Sequence, residues 1–296
     1  MLRALRSHWP EYLIEATLLG LFMISASVFT ALLQHPLSPV VAMISNNTLR
    51  RGLVGVATGM TSLALIVSPM GQRSGAHLNP AVTLAFWRLG KVQSSDAFFY
   101  VVAQFLGGIA GLALVAVAIR PVLAHASVNY VATLPGPAGN GAAFAAEFAI
   151  SFVLMLTILK VSNSPRLYRY TPFFTATLVA TFITIEAPFS GMSMNPARTF
   201  GPALVGWIWN GLWIYFTAPV VAMQCAALVH RVPAHVVYCA KLHHYNHARC
   251  IFRCAFAELR AREIRARLSA QREILAELNG FIEHAEESGR THDERK

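Results

Sequence analysis

Charge is what this sequence has least of. Only 13% of its 296 residues are charged, 14 of them acidic, while 55% are hydrophobic. A soluble domain usually carries roughly 25% charged residues, so this composition argues against a soluble globular fold. Cysteine is absent before Cys225, and the other three, Cys239, Cys250 and Cys254, follow the last apolar run. That excludes a disulfide-built scaffold. Neither a nucleotide-binding glycine loop nor a nucleophile paired with a base is present, so an enzyme is not expected and no motif calls for a cofactor. The net charge of +10 is spread over alternate loops rather than gathered in one patch, and no nucleic-acid partner is expected.

What the chain has instead is long apolar runs, bounded roughly by Tyr12 to Leu33, Arg51 to Val67, Ala97 to Ile119, Ala143 to Val161, Pro172 to Pro188 and Leu212 to Val232. Their lengths suit bilayer crossings, the second and fifth being short. With six spans, Arg3, Arg6, Arg73, Arg88, Lys91, Lys160, Arg166, Arg169 and the basic tail share one side. Only Arg50, Arg51 and Arg120, with Arg198, fall on the other. The positive-inside rule then places both termini in the cytoplasm of a multi-pass protein, with the plasma (inner) membrane as its expected location. Arg3 and Arg6 imitate the start of a signal peptide, but the run's length and its embedded Glu15 argue against one. Glu147 opens the fourth span, and each of these carboxylates is expected to anchor backbone donors of a nearby loop.

Two short polar stretches interrupt the apolar pattern. Ser74-Gly75-Ala76-His77-Leu78-Asn79-Pro80-Ala81-Val82 has a counterpart in Ser190-Gly191-Met192-Ser193-Met194-Asn195-Pro196-Ala197-Arg198, with the two Asn-Pro-Ala triplets 116 residues apart. Asn is a good helix N-cap and Pro suits the first helical position, so each triplet begins a helix. The first, over Pro80 to Arg88, would be about 14 Å long and reach only half-way through a bilayer. Two halves, 12–119 and 143–232, each of span, span, half-helix and span, make an inverted repeat whose half-helix N-termini meet near the midplane. The predicted class is an all-α integral membrane protein with six transmembrane helices and two re-entrant half-helices. The segment 1–11 is expected as a cytoplasmic N-terminus, 12–232 as the membrane domain and 233–296 as a basic, helical cytoplasmic tail. Gly107, Gly108 and Gly111 let helices approach closely, and Pro121 to Asn140 reads as an irregular connection.

At the meeting point, the carbonyls of Gly75, Ala76, His77, Ser193 and Met194 would line a passage, with Asn79 and Asn195 as donors at its centre. Two facing helix N-termini make that centre positive, a barrier to cations and protons but not to neutral molecules. Arg198 adds a fixed charge. His77 is expected to contribute its carbonyl as a structural residue rather than to act as a pH gate. Such a passage suits water and small neutral hydrogen-bonding solutes.

With both motifs in place, the chain resembles the major intrinsic protein family, the aquaporins and glycerol facilitators. The resemblance covers about Tyr12 to Val232 and rests on Ser-Gly-Ala-His-Leu-Asn-Pro-Ala-Val-Thr and Asn-Pro-Ala-Arg-Thr-Phe-Gly-Pro-Ala. Glu15, Gln104, Glu147, Tyr215 and Pro219 also fall where similar family members carry such residues. The resemblance implies a pore in each protomer of a homotetramer in the lipid bilayer. It also implies a narrow ring of four residues, here Arg198, Met192, Ile183 and either Thr58 or Gly59. Strict water channels of the family generally have histidine where this chain has Ile183. Glycerol facilitators typically have Asp where it has Thr199, which makes the chain a hybrid. Water is the expected substrate, with glycerol or another small uncharged solute beside it. The rival reading is a facilitator of glycerol or a metalloid hydroxide with a regulatory or metal-sensing tail.

The tail departs from the family's short terminus. Gly and Pro are absent from Ala234 to Asn279, which predicts one long helix from about His235. A heptad through His247, Cys250, Cys254, Ala257, Ala261, Ile264, Leu268, Leu275 and Leu278 points to self-association. Arg260, Arg262, Arg265, Arg267 and Arg272 point equally to an anionic membrane surface. Cys239, His243, His247, Cys250 and Cys254 recur at helical steps and have the chemistry of zinc or copper ligands. One straight helix brings only two of them to one metal, so a complete site would need a second helix.

Overall fold

The computed structural model describes residues 1–232, 236–244 and 249–293. Every long element is a helix, and among the described residues there is no strand. The first half runs through α1 (Leu2–Gln34), α2 (Pro39–Met43), α3 (Asn47–Val67), α4 (Pro69–Ser74), α5 (Pro80–Arg88) and α6 (Ser94–Ala124). The second runs through α7 (Gly139–Ser162), α8 (Thr171–Ile185), α9 (Ala187–Ser190), α10 (Pro196–Gly206) and α11 (Leu212–Arg231). Residues Met1–Cys254 form one compact unit. A second unit, from Ala255, is dominated by α12 (Phe256–Asp293).

The half-helices start where capping chemistry requires. Asn79 and Asn195 have extended backbones and accept from Ala81 N at 2.8 Å and Ala197 N at 3.0 Å, with proline next in line. The two halves pack in the same way. Helix α1 lies against α6 as α7 lies against α11, and each half-helix crosses over, α5 to α11 and α10 to α6. Close approach depends on glycine. A Cβ on Gly107 would sit 2.1 Å from the Ala16 carbonyl, and one on Gly111 2.3 Å from that of Gly20. The bundle's outer surface stays apolar, with Leu106, Leu114, Val117, Val153 and Val221 exposed, as lipid contact requires.

Three features differ from the sequence-based expectation, and the fifth span is short, as expected. Helix α1 starts at Leu2 rather than near Tyr12, and the Tyr12 hydroxyl donates to Asp96 Oδ1 at 2.6 Å. Helix α6 continues through Pro121 to Ala124, with Ile119 out of helical geometry. Pro121 has no N–H for the carbonyl of Val117 and clashes with it, so the helix kinks instead of ending. Among the described residues five helices are long and apolar enough to cross a membrane. Helix α8, the fifth expected span, has 15 residues, about 22 Å of rise, and short turns at Tyr168–Tyr170 and Ala187–Ser190 flank it.

The third difference is the tail. Residues 236–244 and 249–255 are not helical, and the helix begins only at Phe256. Amides that would build its first turns are bound elsewhere. Tyr238 N donates to Asn163 Oδ1 at 2.6 Å, Leu242 N to the Gly75 carbonyl at 3.1 Å, and Arg253 N to the Lys91 carbonyl at 3.0 Å. Tertiary hydrogen bonds here outweigh a helix propensity of a few tenths of a kcal/mol per residue. Within α12, Ile264, Leu268, Leu275 and Leu278 are exposed, and Glu263 pairs with Arg260 at 2.9 Å and Arg267 at 2.7 Å.

Candidate functional site: a bore between two half-helices

Each loop ahead of a half-helix is strained, and a buried carboxylate holds it. Ala76, Leu78, Met192 and Met194 all have positive φ, between 50° and 55°, which costs a side-chain-bearing residue about 1–2 kcal/mol. Glu15 compensates in the first loop by accepting from Ser74 Oγ at 2.7 Å, His77 N at 3.1 Å, Leu78 N at 2.8 Å and Gln104 Nε2 at 2.9 Å. Glu147 does so in the second, accepting from Ser190 Oγ at 2.7 Å, Ser193 N at 2.6 Å and Met194 N at 2.8 Å. Tyr100 and Tyr215 complete the cages, their hydroxyls donating to the carbonyls of Ser74 at 2.7 Å and Ser190 at 2.5 Å. Tyr100 and both serines escaped the sequence-based reading. The signal was there, since a Ser-Gly pair stands at the same place in both motifs.

The asparagine of each triplet bonds to the loop just ahead of the other. Asn79 Nδ2 donates to the Met194 carbonyl and Asn195 Nδ2 to the Leu78 carbonyl, both at 2.7 Å. An amide nitrogen has two hydrogens, so each asparagine keeps one for the cavity that both line. Pro80, Ala81, Pro196 and Ala197 are buried behind them.

That cavity has a volume of about 280 Å³, far above the roughly 10–15 Å³ one water needs. Thr58, Ile183, Met192 and Arg198 all line it. Gly59 turns away, and a Cβ there would meet the Ala176 carbonyl at 2.7 Å. Arg198 is fixed by donating from Nη1 to the Val131 carbonyl at 2.8 Å. That carbonyl is aimed by three successive residues of positive φ, Asn129, Tyr130 and Val131, in the connection expected to be irregular. Arg51 also lines the cavity and donates from Nε to the Thr184 carbonyl at 2.8 Å. Nothing in the spacing of charged residues marked this second guanidinium as one that lines the bore.

At the opposite end the tail enters. Ala76, His77, Ser193 and Met194 line the cavity, but so does Leu242, and the Gly75 carbonyl, expected to face the passage, accepts from Leu242 N instead. The ring of His77 shares a hydrogen bond with Thr83 Oγ1 at 3.0 Å and donates from Nε2 to the Ala240 carbonyl at 2.8 Å. Phe252 stacks on His77 with centroids 5.3 Å apart. His77 therefore does more than lend a carbonyl, since its side chain receives the tail.

The tail's soft ligands are grouped, though not as helical spacing suggested. Cys239, His244, Cys250 and Cys254 each present a ligand atom within 4.8 Å of the other three. His243 is not part of that group, His244 takes its place, and His247 lies outside the described residues. The four ligand atoms come from two non-helical stretches, 239–244 and 250–254, so no second helix is needed.

Comparisons with known proteins agree with this geometry. The model of the family described as Major intrinsic protein matches residues 5–230. Over 227 residues the chain is 35% identical to the probable aquaporin NIP7-1 of Arabidopsis thaliana, spanning 75% of this chain and 76% of that relative. It is 34% identical to Aquaporin A of Dictyostelium discoideum over 64% of this chain and 68% of that one. The solved aquaglyceroporin of Plasmodium falciparum superposes with a TM-score of 0.64 at 20% identity, covering 77% of this chain and 98% of its own. At that identity the likeness speaks for the fold alone.

Proposed function

The chain belongs to the major intrinsic protein family, and on that premise we propose that water and small uncharged solutes cross the membrane along the bore between Asn79 and Asn195. It is a multi-pass membrane channel, not an enzyme. The observation that carries the route is the reciprocal asparagine bond, which leaves one donor from each half-helix start on the cavity wall. A permeant accepting from both must turn its own hydrogens outward along the bore. Cations and protons fare badly there, because two helix N-termini and the guanidiniums of Arg198 and Arg51 repel them.

Thr58, Ile183, Met192 and Arg198 are proposed as the selecting ring. Arg198 and Thr58 suit hydroxyl groups, while Ile183 and Met192 offer an apolar wall to a carbon skeleton, which favours passage of glycerol as well as water. The positive-inside distribution supports cytoplasmic termini in a plasma (inner) membrane, and the family resemblance supports a homotetramer. Stopped-flow light scattering on proteoliposomes, with protein kept in chelator and reductant, tests the reading. Fast water efflux and re-swelling in glycerol are expected. Water flow without glycerol would restrict the substrate to water, and flow no faster than in empty vesicles would overturn the channel route.

A further inference from the structure

We propose that Cys239, His244, Cys250 and Cys254 bind one zinc ion, and that the ion clamps residues 236–244 and 249–254 across the mouth of the bore at the His77 end. The closure part rests on the channel reading, while the metal site stands on its own geometry.

Tetrahedral zinc with three sulfurs at about 2.3 Å and one nitrogen at about 2.0 Å has ligand–ligand edges of roughly 3.5–3.8 Å. Cys239 Sγ lies 3.6 Å from Cys250 Sγ, and Cys254 Sγ lies 3.2 Å from His244 Nε2. Both pairs are already near an edge length, and the remaining separations, all within 4.8 Å, close by small side-chain rotations. The sulfur pair is too far apart to be a disulfide, whose bond is about 2.05 Å. Three thiols and one imidazole match a structural zinc site, and binding releases the thiol protons to solvent. Three thiolates and a neutral imidazole around Zn²⁺ leave one negative charge. Lys241, 2% exposed, lies two residues after Cys239, its Nζ donating to the carbonyls of Gln72 and Arg249, both at 2.6 Å.

The same residues bracket the plug. Ala240, Lys241 and Leu242, buried in the mouth, follow Cys239 directly. Phe252, stacked on His77, lies between Cys250 and Cys254. An ion tying Cys239 to Cys250 and Cys254 therefore joins the two stretches that fill the opening, and removing it leaves their hydrogen bonds and the packing of Leu242 and Phe252 to hold them there.

The test starts with the full chain, purified in reductant without chelator and analysed for metal and protein together. About one zinc per protomer is expected, and cobalt exchange should give thiolate-to-cobalt charge-transfer bands with tetrahedral d–d absorption. Cys250→Ser with Cys254→Ser should lower zinc content at least tenfold, and His243→Ala should leave it unchanged. Metal-free protein with free thiols, a Cys239–Cys250 disulfide found by intact mass, or full zinc retention in the double variant would each overturn the site. In proteoliposomes, chelator should raise water permeability several-fold and added zinc should reverse it. Equal flow with and without bound zinc would overturn the clamp. Absence of flow in both states, with zinc bound as expected, would count against the channel reading and leave the site standing.

Discussion

Glu147 accepts hydrogen bonds from three donors at 2.6–2.8 Å in a wholly buried setting. Glu147→Gln keeps the volume but replaces one acceptor oxygen with an N–H₂ that confronts other donors. Each buried donor left unpaired costs about 1–3 kcal/mol, and the positive φ of Met192 and Met194 loses its restraint. The expected outcome is a lower thermal midpoint in detergent and slower water flow, with Glu15→Gln behaving alike; an unchanged midpoint would contradict the anchoring role. Both carboxylates were legible in the sequence, because an acid embedded in an apolar run demands partners. The Val131 carbonyl under Arg198 was not, since a backbone oxygen in a loop has no sequence signature. At the ring, Ile183→His should slow glycerol more than water, measured as the ratio of the two fluxes.

The half-helices were the most legible elements, because Asn followed by Pro caps and starts a helix by local chemistry alone. Helix approach was legible as a glycine run, but its partner was not: Gly107 meets Ala16 and Gly108 meets Ala197. Gly107→Val should therefore abolish monodisperse protein in size-exclusion chromatography, because the new side chain would strike the Ala16 backbone. Gly141 in the first turn of α7 has nothing within 4 Å of an added Cβ, so Gly141→Ala should be neutral or stabilise by up to about 1 kcal/mol. The tail shows where local inference fails. Residues 236–255 have helix-forming composition, yet the body's own acceptors, Asn163, Gly75 and Lys91, bind their amides. Such partners lie far away in sequence, and no periodicity reports them.

For the whole molecule, the inverted repeat explains why a passage exists at all. Two halves with the same strained loop and the same carboxylate anchor can bond only head to head, Asn79 to Met194 and Asn195 to Leu78. The unpaired backbone then faces a cavity rather than lipid. Because Met1–Cys254 forms one compact unit, a chain ending after Cys254 should keep its zinc and, once chelated, its water flow; loss of zinc would contradict a metal site built within that unit, and loss of flow a pore built within it. The most direct test of the central claim is one stopped-flow series on chelator-treated proteoliposomes, reading water efflux beside proton leak at an imposed potassium-diffusion potential. The expected result is water efflux well above that of empty vesicles, with proton leak indistinguishable from theirs. Proton or cation current through the wild-type chain, or water flow unaffected by replacing both Asn79 and Asn195 with bulky Leu, would contradict a neutral-solute pathway between the two triplets.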